Sequence, residues 1–530
     1  MDEYVDIFYQ DEIEEEKDDG NIEYKRELLN LTEETINKRM TQMKYRIYEG
    51  SGEALYFIGV GDDGKLLGLN REEYEISIKN LEIIANNIDC NIIKICESSK
   101  NDFYIGEYLI RENNKEYIEI KIAVAGNVDS GKSTTIGVLV KGILDDGRGK
   151  ARTSVFNYKH EIDTGRTSSI GHQNMMFNRE GNIINSKLDK NDISKNINFY
   201  DLAGHEKYLR TTIYGLTSLY PDYCLIMVGA NMGINHMTRE HIGLCINLKI
   251  PFIIIITKID IVPENVLDET ITKINNICKN RIKKIPYNIK NMSDIINVIK
   301  NIKSDSIVPI IQISNTTNFN IELLKSLFHL LPIRNDYNQY INKNVEFLID
   351  NTYSVTGHST IVSGMIKSGT IKINDILLIG PYFDSSYKQV KVRSIHLNYK
   401  NINESKAGNY VCISLKNITR REIKKGMILI TDDNNMKLAV KQFKAQLQIL
   451  HSPTTIKLGY QPFLHIEHAR QSAKIIEIEK ISSKDDDKIL RSGDKANVVL
   501  EFLIKPEYIK EGMRLIFREG KVKAVGKIIN

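Results

Sequence analysis

The chain has 530 residues, enough for roughly three or four domains, each with a core of its own. Its 72 basic and 68 acidic residues leave a net charge of +4, and a hydrophobic share of 42% is typical of a globular protein. The longest apolar run, near residues 252–256, is too short to span a bilayer, and the acidic start is unlike a secretory signal, so we predict no membrane association. Six scattered cysteines without paired spacing argue against a zinc site or a disulfide framework and favour a reducing, cytoplasmic location.

Charge is unevenly distributed along the chain. Residues 1–20 hold ten acidic residues and one lysine, a composition that predicts a disordered tail. The rest of the chain therefore carries a net charge of +13. Such a body suits a polyanionic partner such as RNA, although a basic surface is more often simply solvated.

Residues 21–115 predict a small N-terminal α/β domain. Helical periodicity covers residues 28–47 and 72–87, a hairpin is expected at Asp62-Asp63-Gly64, and strands are expected near 92–96 and 103–111. Nothing in this region has the spacing of a catalytic site. We therefore expect a docking or regulatory role for it.

A phosphate-binding loop (P-loop) is predicted between an apolar strand at residues 120–125 and a helix at 134–144. Its glycines let backbone N–H groups face a phosphate chain, while Lys132 supplies a positive charge and Ser133 a hydroxyl for Mg²⁺. The predicted phosphate-binding residues here are Gly126, Asn127, Val128, Asp129, Ser130, Gly131, Lys132, Ser133 and Thr134. The chain is thus predicted to bind a nucleoside triphosphate with Mg²⁺.

The segment after this helix contains Gly165-Arg166-Thr167-Ser168-Ser169. A threonine here can provide a second hydroxyl for Mg²⁺ in a loop that orders when nucleotide binds, and we predict Thr167, with Thr164 as the alternative. The polar stretch that follows, residues 169–196, predicts a disordered loop.

A second phosphate motif follows the apolar run at residues 197–200. Asp201 can hold Mg²⁺ through water, and the N–H of Gly204 can contact a γ-phosphate. His205 comes next; a lone histidine is usually structural, but at this position an imidazole can orient the water that attacks the phosphate. We therefore predict His205 as the catalytic residue.

Two motifs further along indicate guanine. The strand at residues 252–256 leads into Thr257-Lys258-Ile259-Asp260, whose carboxylate can accept hydrogen bonds from N1 and N2 of guanine. Thr257 stands where this motif usually has asparagine. Ser314, Asn315 and Thr316 follow another strand and can direct backbone N–H groups at the guanine O6. The order of the motifs predicts a P-loop GTPase (G) domain over 118–335 that uses GTP.

Beyond residue 335 the pattern changes to short β-branched runs separated by glycine-containing turns, which predicts two β-barrels. We place one at 343–435 and the other at 438–530. The predicted fold is thus an α/β P-loop GTPase domain followed by two β-barrel domains, with the small N-terminal α/β domain in front.

This succession resembles the elongation factor Tu and elongation factor 1-alpha family. The resemblance rests on the P-loop wording Gly126-Asn127-Val128-Asp129-Ser130-Gly131-Lys132-Ser133, on residues 357–375 and 415–418 in the first barrel, and on residues 451–462 and 492–494 in the second. It is closer still to the branch of GTP-binding proteins 1 and 2, through residues 165–169, 201–209 and 517–526 and through shorter matches before the GTPase domain.

The resemblance implies a translational GTPase that hydrolyses GTP to GDP and phosphate, binds aminoacyl-tRNA or a related RNA, and acts at the ribosome. One departure is Arg166, which stands where elongation factor Tu has an isoleucine that forms a hydrophobic gate; Val128 could keep the other half of the gate. An alternative function is a GTP-switched recruiter of mRNA-decay or ribosome-rescue machinery. A further candidate, the GTPase subunit of sulfate activation, shares the three-domain core. It is disfavoured because the N-terminal region and residues 201–209 resemble the branch of GTP-binding proteins 1 and 2.

Overall fold

The computed structural model describes residues 13, 15–113, 117–156, 170–178, 180–184, 193–353, 360–397, 400–424, 426–433, 438–481, 488–519 and 522–529. These residues form two compact units. One comprises those within Met1–Leu209 and Pro221–Arg334, and the other those within Arg210–Tyr220 and Asn335–Asn530. Within the described ranges, no helix is long and apolar enough to cross a membrane.

The first unit begins with a small α/β layer in which two helices pack on a four-stranded sheet. Its elements are β1 (Ile22–Lys25), α1 (Glu33–Glu49), β2 (Glu53–Ile58), α2 (Arg71–Asn86), β3 (Cys90–Lys100) and β4 (Phe103–Glu112), with strand order β1-β2-β4-β3. Helix α1 starts later than its periodicity predicts because Thr32 caps it: the Thr32 hydroxyl accepts from the Thr35 amide at 3.2 Å. Met43 and Leu81 lie in the apolar core of this layer.

Part of the acidic segment is ordered against this layer, contrary to the predicted disordered tail. The amide of Ile13 donates to the Gly64 carbonyl at 3.0 Å, and that of Glu16 to the Asp62 carbonyl at 2.9 Å. The buried Arg46 pairs with the Glu16 carboxylate at 2.5 Å. A buried guanidinium needs compensating charge, and Glu16 supplies it together with Glu23 of β1, whose carboxylate lies 2.6 Å from the Arg46 Nε. The first twelve residues and residue 14 lie outside the described ranges.

A large sheet forms the rest of this unit. Its strands are β5 (Ile118–Gly126), β6 (Gly171–Asn178), β7 (Ile183–Ile184), β8 (Ile193–Asp201), β9 (Tyr223–Gly229), β10 (Phe252–Thr257), β11 (Ile285–Ile289) and β12 (Ile307–Gln312), in the order β11-β12-β10-β9-β5-β8-β6-β7. The intervening helices are α3 (Lys132–Lys141), α4 (Lys150–Thr153), α5 (Leu209–Ser218), α6 (His236–Asn247), α7 (Glu264–Ile277), α8 (Met292–Ile302) and α9 (Ile321–Leu330), although α5 belongs to the second unit from Arg210 onward.

The central strands of this sheet are parallel, since β5 pairs in parallel with β8 and β9, and β10 with β9 and β12. Their carboxyl ends therefore share one edge of the sheet, where ligands of open α/β sheets bind. Loops starting at Gly126, Asp201 and Thr257 consequently meet there. The predicted motifs are brought together by this strand order.

The polar stretch at 169–196 is partly a strand, and the prediction of a disordered loop is wrong for its described residues. Strand β6 pairs antiparallel with β8, with Gly171 opposite Asp201. Met175 and Phe177 are buried in the core of the unit. These apolar residues form a strand by pairing with β8. Because their neighbours in the sequence are polar, the sequence pattern did not indicate this strand.

The second unit contains two closed β-structures. The first has β13 (Glu346–Tyr353), β14 (Thr360–Ser368), β15 (Thr370–Lys372), β16 (Ile376–Gly380), β17 (Lys388–Leu397), β18 (Lys400–Ile402), β19 (Glu404–Lys406), β20 (Tyr410–Lys416) and β21 (Ile428–Thr431). Its strand order is β16-β21-β13-β14-β20-β17-β18, and a pairing of β16 with β17 closes six of the strands.

The last strands of the chain are β22 (Gln442–His451), β23 (Ile456–Lys457), β24 (Phe463–Ile466), β25 (Ala469–Lys480), β26 (Ile489–Leu490), β27 (Lys495–Phe502), β28 (Arg514–Glu519) and β29 (Val522–Ile529). Six of them form the second closed barrel, in the order β22-β27-β25-β24-β28-β29. Buried residues alternate with more exposed ones along β22 and β27, as a filled barrel requires. The predicted fold class is confirmed.

Candidate functional site

The P-loop, residues 126–133, joins β5 to α3 and depends on backbone that favours glycine. Gly131 has φ +83° and Gly126 has φ +151°, and a Cβ on Gly126 would lie 2.5 Å from the Met227 carbonyl oxygen. Asp129, with φ +59°, is also in the left-handed region. Helix α3 begins without a side-chain cap, so the loop leads into a helix start of the kind that accepts an anion.

Lys132 is nearly buried at 7% exposure and its ammonium group is held by the loop itself. Its Nζ donates to the carbonyl of Asn127 at 2.7 Å and to that of Gly126 at 3.2 Å. Burial lowers the pKa of Lys132, and the nearby carboxylates of Asp201 and Asp129 oppose that shift. The loop therefore holds its cation in one position.

Two of the predicted metal-binding residues are in direct contact. The Ser133 hydroxyl donates to the Asp201 carboxylate, and both side chains are largely buried. A hydroxyl beside a carboxylate is a set of hard oxygen donors that fits Mg²⁺. The third, Thr167, lies outside the described residues, as do Thr164 and Arg166.

Gly204 closes over the P-loop. A Cβ at this position would lie 2.4 Å from the Lys132 Nζ and 2.7 Å from the Gly126 carbonyl oxygen. Only glycine lets the chain after β8 approach the loop this closely. The two predicted phosphate motifs are therefore in contact.

His205 is exposed and stands at the start of a short 3₁₀ helix, Glu206–Tyr208. Its Nδ1 accepts a hydrogen bond from the Lys207 amide at 3.1 Å. A neutral imidazole held in this way carries its proton on Nε2, which leaves that atom as a donor. His205 can thus donate to an oxygen atom in the adjoining pocket.

One pocket collects most of these side chains. We call it the P-loop pocket, and it is lined by Val128, Asp129, Gly131, Lys132, Ser133, Thr134, Arg152, Gly204, His205 and Lys258. All but one of these residues are predicted from the motifs. The exception is Arg152, which sequence reasoning missed because it belongs to no motif and only a basic, glycine-containing segment, 147–152, marks its neighbourhood.

The predicted guanine residues form a second cluster beside this pocket. The Thr316 hydroxyl donates to the Asp260 carboxylate at 2.9 Å. Partial burial would raise the pKa of Asp260, but hydrogen bonds from the Ser314 and Thr316 hydroxyls outweigh it and lower the pKa. The carboxylate is thus kept ionised and oriented as a hydrogen-bond acceptor.

Two other residues predicted for guanine direct their side chains elsewhere. The Thr257 hydroxyl, fully buried, donates to the carbonyl of Ser130 in the P-loop at 2.9 Å. The side-chain amide of Asn315 donates to the Thr135 hydroxyl of α3 at 2.9 Å, and the backbone carbonyl of Asn315 accepts from the Asp145 amide at 3.0 Å. These bonds link the guanine motifs to the phosphate motif.

Comparison with known proteins gives consistent matches over most of the chain. Three family models follow one another: elongation factor Tu GTP binding domain at residues 118–333, elongation factor Tu domain 2 at 359–430, and elongation factor Tu C-terminal domain at 437–530. GTP-binding protein 1 of Xenopus laevis is 40% identical over 514 residues, covering 94% of this chain and 77% of the relative. GTP-binding protein 2 of Homo sapiens is 38% identical, covering 97% and 87%.

A solved structure shows the same fold. Translation elongation factor SelB from Methanococcus maripaludis, in complex with the GTP analogue GppNHp, aligns with a TM-score of 0.57 at 20% identity. The alignment covers 79% of this chain and 80% of that one. At this identity the likeness concerns the fold alone.

Proposed function

Because the chain belongs to the elongation factor Tu family of GTPases, we propose that its GTP form binds aminoacyl-tRNA or a related RNA and meets the ribosome, which triggers hydrolysis. The chain is a GTP-binding protein and a hydrolase of GTP. The observation that carries the proposal is the succession of a GTPase domain and two β-barrels that match elongation factor Tu throughout. The basic charge of the chain beyond its acidic start suits an RNA partner.

The domain boundaries are part of this proposal. We assign residues 118–335 to GTP hydrolysis and the barrels at 343–435 and 438–530 to the RNA. The layer at 21–115 is assigned to docking or regulation, since it contributes no side chain to the P-loop pocket.

In the proposed site, the P-loop amides and Lys132 bind the phosphates, and Gly204 contacts the γ-phosphate. Ser133 and Asp201 would hold Mg²⁺ together with Thr167. Bound Mg²⁺ neutralises charge on the phosphate oxygens. The contact of Gly204 with Lys132 supports this arrangement, because it joins the two phosphate motifs around one ligand.

Hydrolysis proceeds by attack of water on the γ-phosphorus, with GDP as the leaving group. His205 orients that water, while Lys132 and the loop amides stabilise the charge that spreads over the phosphate oxygens. His205 is exposed, so an external partner can reach it, which supports a trigger by the ribosome.

Guanine recognition is assigned to Asp260, which accepts from N1 and N2 of the base; adenine lacks this pair of donors. Lys258 and the loop of Ser314 and Thr316 border the base. Thr257 and Asn315 do not border the base; their side-chain hydrogen bonds connect the guanine loops to the P-loop and to the helix that follows it. Thr257 therefore helps to fix the position of the P-loop, and it offers no side-chain amide to guanine.

Protection of the aminoacyl ester tests the proposed RNA ligand. The spontaneous hydrolysis of charged tRNA is measured with the full chain bound to a non-hydrolysable GTP analogue, and with the GDP form as the matched control. We expect slower ester hydrolysis only with the GTP analogue, because an RNA-binding GTPase covers the acceptor end in that state. Equal hydrolysis in both states contradicts the proposal. Recovery of RNA-decay or ribosome-rescue proteins with the GTP form would then favour the recruiter.

A further inference from the structure

The P-loop pocket contains a cation that the P-loop does not supply. Arg152, on the short helix α4, lines the pocket together with Lys132, Gly204 and His205. Its side chain is 32% exposed, and its Nη1 lies 4.0 Å from the Asp129 carboxylate. Because this distance is at the limit of an ion pair, Asp129 does not hold the guanidinium in a close bond.

Hydrogen bonds and packing against α3 hold the segment that carries Arg152 in place. The Asp145 carboxylate accepts from the amides of Gly147 and Ala151 at 3.1 and 3.0 Å. Ala151 is buried, and its carbonyl oxygen would lie only 2.2 Å from a Cβ on Gly137 of α3. Helix α4 therefore lies directly on the helix that begins with Lys132.

The path of the Arg152 side chain is also restricted. A Cβ on Gly149 would lie 2.4 Å from the Arg152 Nε, so the guanidinium crosses the chain at a position without a side chain. Gly149 has φ +96°, which independently favours glycine. A side chain at position 149 would therefore both strain the backbone and collide with Arg152.

We propose that Arg152 is a catalytic residue that acts in cis as an arginine finger. This inference rests on the proposed assignment of the P-loop pocket to the phosphates of GTP. Water forms a bond to the γ-phosphorus, the bond from that phosphorus to the β–γ bridging oxygen breaks, and GDP leaves with the electron pair while phosphate takes up the proton. The guanidinium exchanges Asp129 for phosphate oxygens as negative charge builds up on them.

The chemistry of Lys132 and of Arg152 supports different roles for these two cations. Lys132 is a compact charge already bonded to two loop carbonyls, which suits ground-state binding. Arg152 offers a planar fork of donors that can bind two phosphate oxygens at once. A residue that acts mainly in the transition state changes the hydrolysis rate constant far more than the affinity for nucleotide.

Variants R152A and R152K, with R148A as the matched control from the same loop, test this role in the full chain. We expect both Arg152 variants to lower the single-turnover rate constant at saturating GTP and Mg²⁺ by roughly 10³-fold. The dissociation constants of GDP and of a non-hydrolysable GTP analogue should change by less than about threefold. Lysine should not rescue the rate because it cannot bind two oxygens in the fork geometry.

A second measurement follows binding rather than turnover. Aluminium fluoride with GDP mimics the transferring phosphoryl group, and we expect the parent chain and R148A to bind it while R152A does not. Two results would overturn the inference: hydrolysis and aluminium fluoride binding that both survive in R152A, or equal weakening of GTP and GDP affinity at an unchanged rate. The ester-protection assay separates the two proposals. Absence of protection in the parent chain counts against the RNA ligand and leaves the role of Arg152 standing.

Discussion

At the scale of single residues, the geometry of His205 defines what its ring can do. His205 lines the P-loop pocket, and because Nδ1 is occupied by the Lys207 amide, Nε2 is the ring nitrogen left for another partner. A glutamine amide can likewise donate to or accept from a water molecule, as in the small GTPases. The role proposed for His205 therefore depends on a polar group at this position and does not require an imidazole.

We expect H205A to lower ribosome-stimulated GTP hydrolysis by about 10²- to 10⁴-fold, because it removes the group that orients the attacking water. H205Q should lose much less activity, and nucleotide affinity should be unchanged in both variants. The measurement is phosphate release with and without ribosomes. H236A, which removes an exposed histidine at the start of α6, is the control. Full stimulated activity in H205A would rule out the assignment.

At the scale of secondary-structure elements, strand β8 is anchored by buried charges before it reaches Asp201. Lys195, fully buried, donates to the carbonyls of His329 and Leu331 at 2.6 and 2.7 Å and to the Glu53 carboxylate at 3.2 Å. Burial alone would raise the pKa of Glu53, but Arg111 and Lys195 lower it to about 2. The strand that carries the second phosphate motif is thus bonded to both β2 and the end of α9.

Strand β4 contains a buried acid with the opposite behaviour. Burial raises the pKa of Glu107 to about 8, against a weaker lowering by Lys300. Between its ordinary value of 4.5 and about 8, the folded chain therefore binds a proton that the unfolded chain has released. This group's contribution to stability is complete below pH 4.5 and is lost as the pH rises to about 8.

We expect E107Q to reduce this pH dependence, since glutamine stays neutral. Across the window, the free energy of unfolding of the parent chain should fall more steeply than that of E107Q, by up to about 1.4 kcal/mol per pH unit. Urea unfolding at several pH values between 5 and 8 measures the difference. E112Q changes an exposed acid at the end of the same strand and should keep the parent slope. Parallel curves for the parent chain and E107Q would refute the shift.

At the scale of the whole molecule, helix α5 follows His205 in sequence but belongs to the unit of the barrels from Arg210 onward. The guanidinium carbon of Arg470 lies 4.4 Å from the ring centroid of Tyr214, and that of Arg210 lies 4.7 Å from the ring of Phe463. Lys367 and Glu467 of the two barrels pair at 2.6 Å, and the Lys367 Nζ lies 5.5 Å from the Tyr220 ring. The segment from Arg210 to Tyr220, which includes most of α5, is therefore packed against residues from both barrels.

A chain that ends after Arg334 should lose this packing. We expect amide hydrogen exchange in residues 210–220 to become faster, because the side chains that cover the helix are gone, while strands β9 and β10 keep their protection. Exchange followed by mass spectrometry in the full and shortened chains measures the effect. Unchanged protection of 210–220 would show that the helix is stable without the barrels.

The sequence by itself determined the fold class and most of the P-loop pocket. Motifs such as the P-loop and the segment from Asp201 to His205 are short, and their chemistry depends on neighbours along the chain: glycines for the backbone, then a lysine, hydroxyl, carboxylate or imidazole. The two barrels were predictable because alternating apolar residues and turns are also local patterns.

Only the tertiary structure decided which distant residues join these motifs. Arg152 enters the pocket because Asp145 and α3 hold its helix in place, and Thr257 turns towards the P-loop because Ser130 lies across from the end of β10. The pairing of β6 with β8 and the ordering of the acidic segment by Arg46 likewise require partners far away in sequence. Such contacts leave no local pattern, since each depends on a fold that the whole chain must first complete.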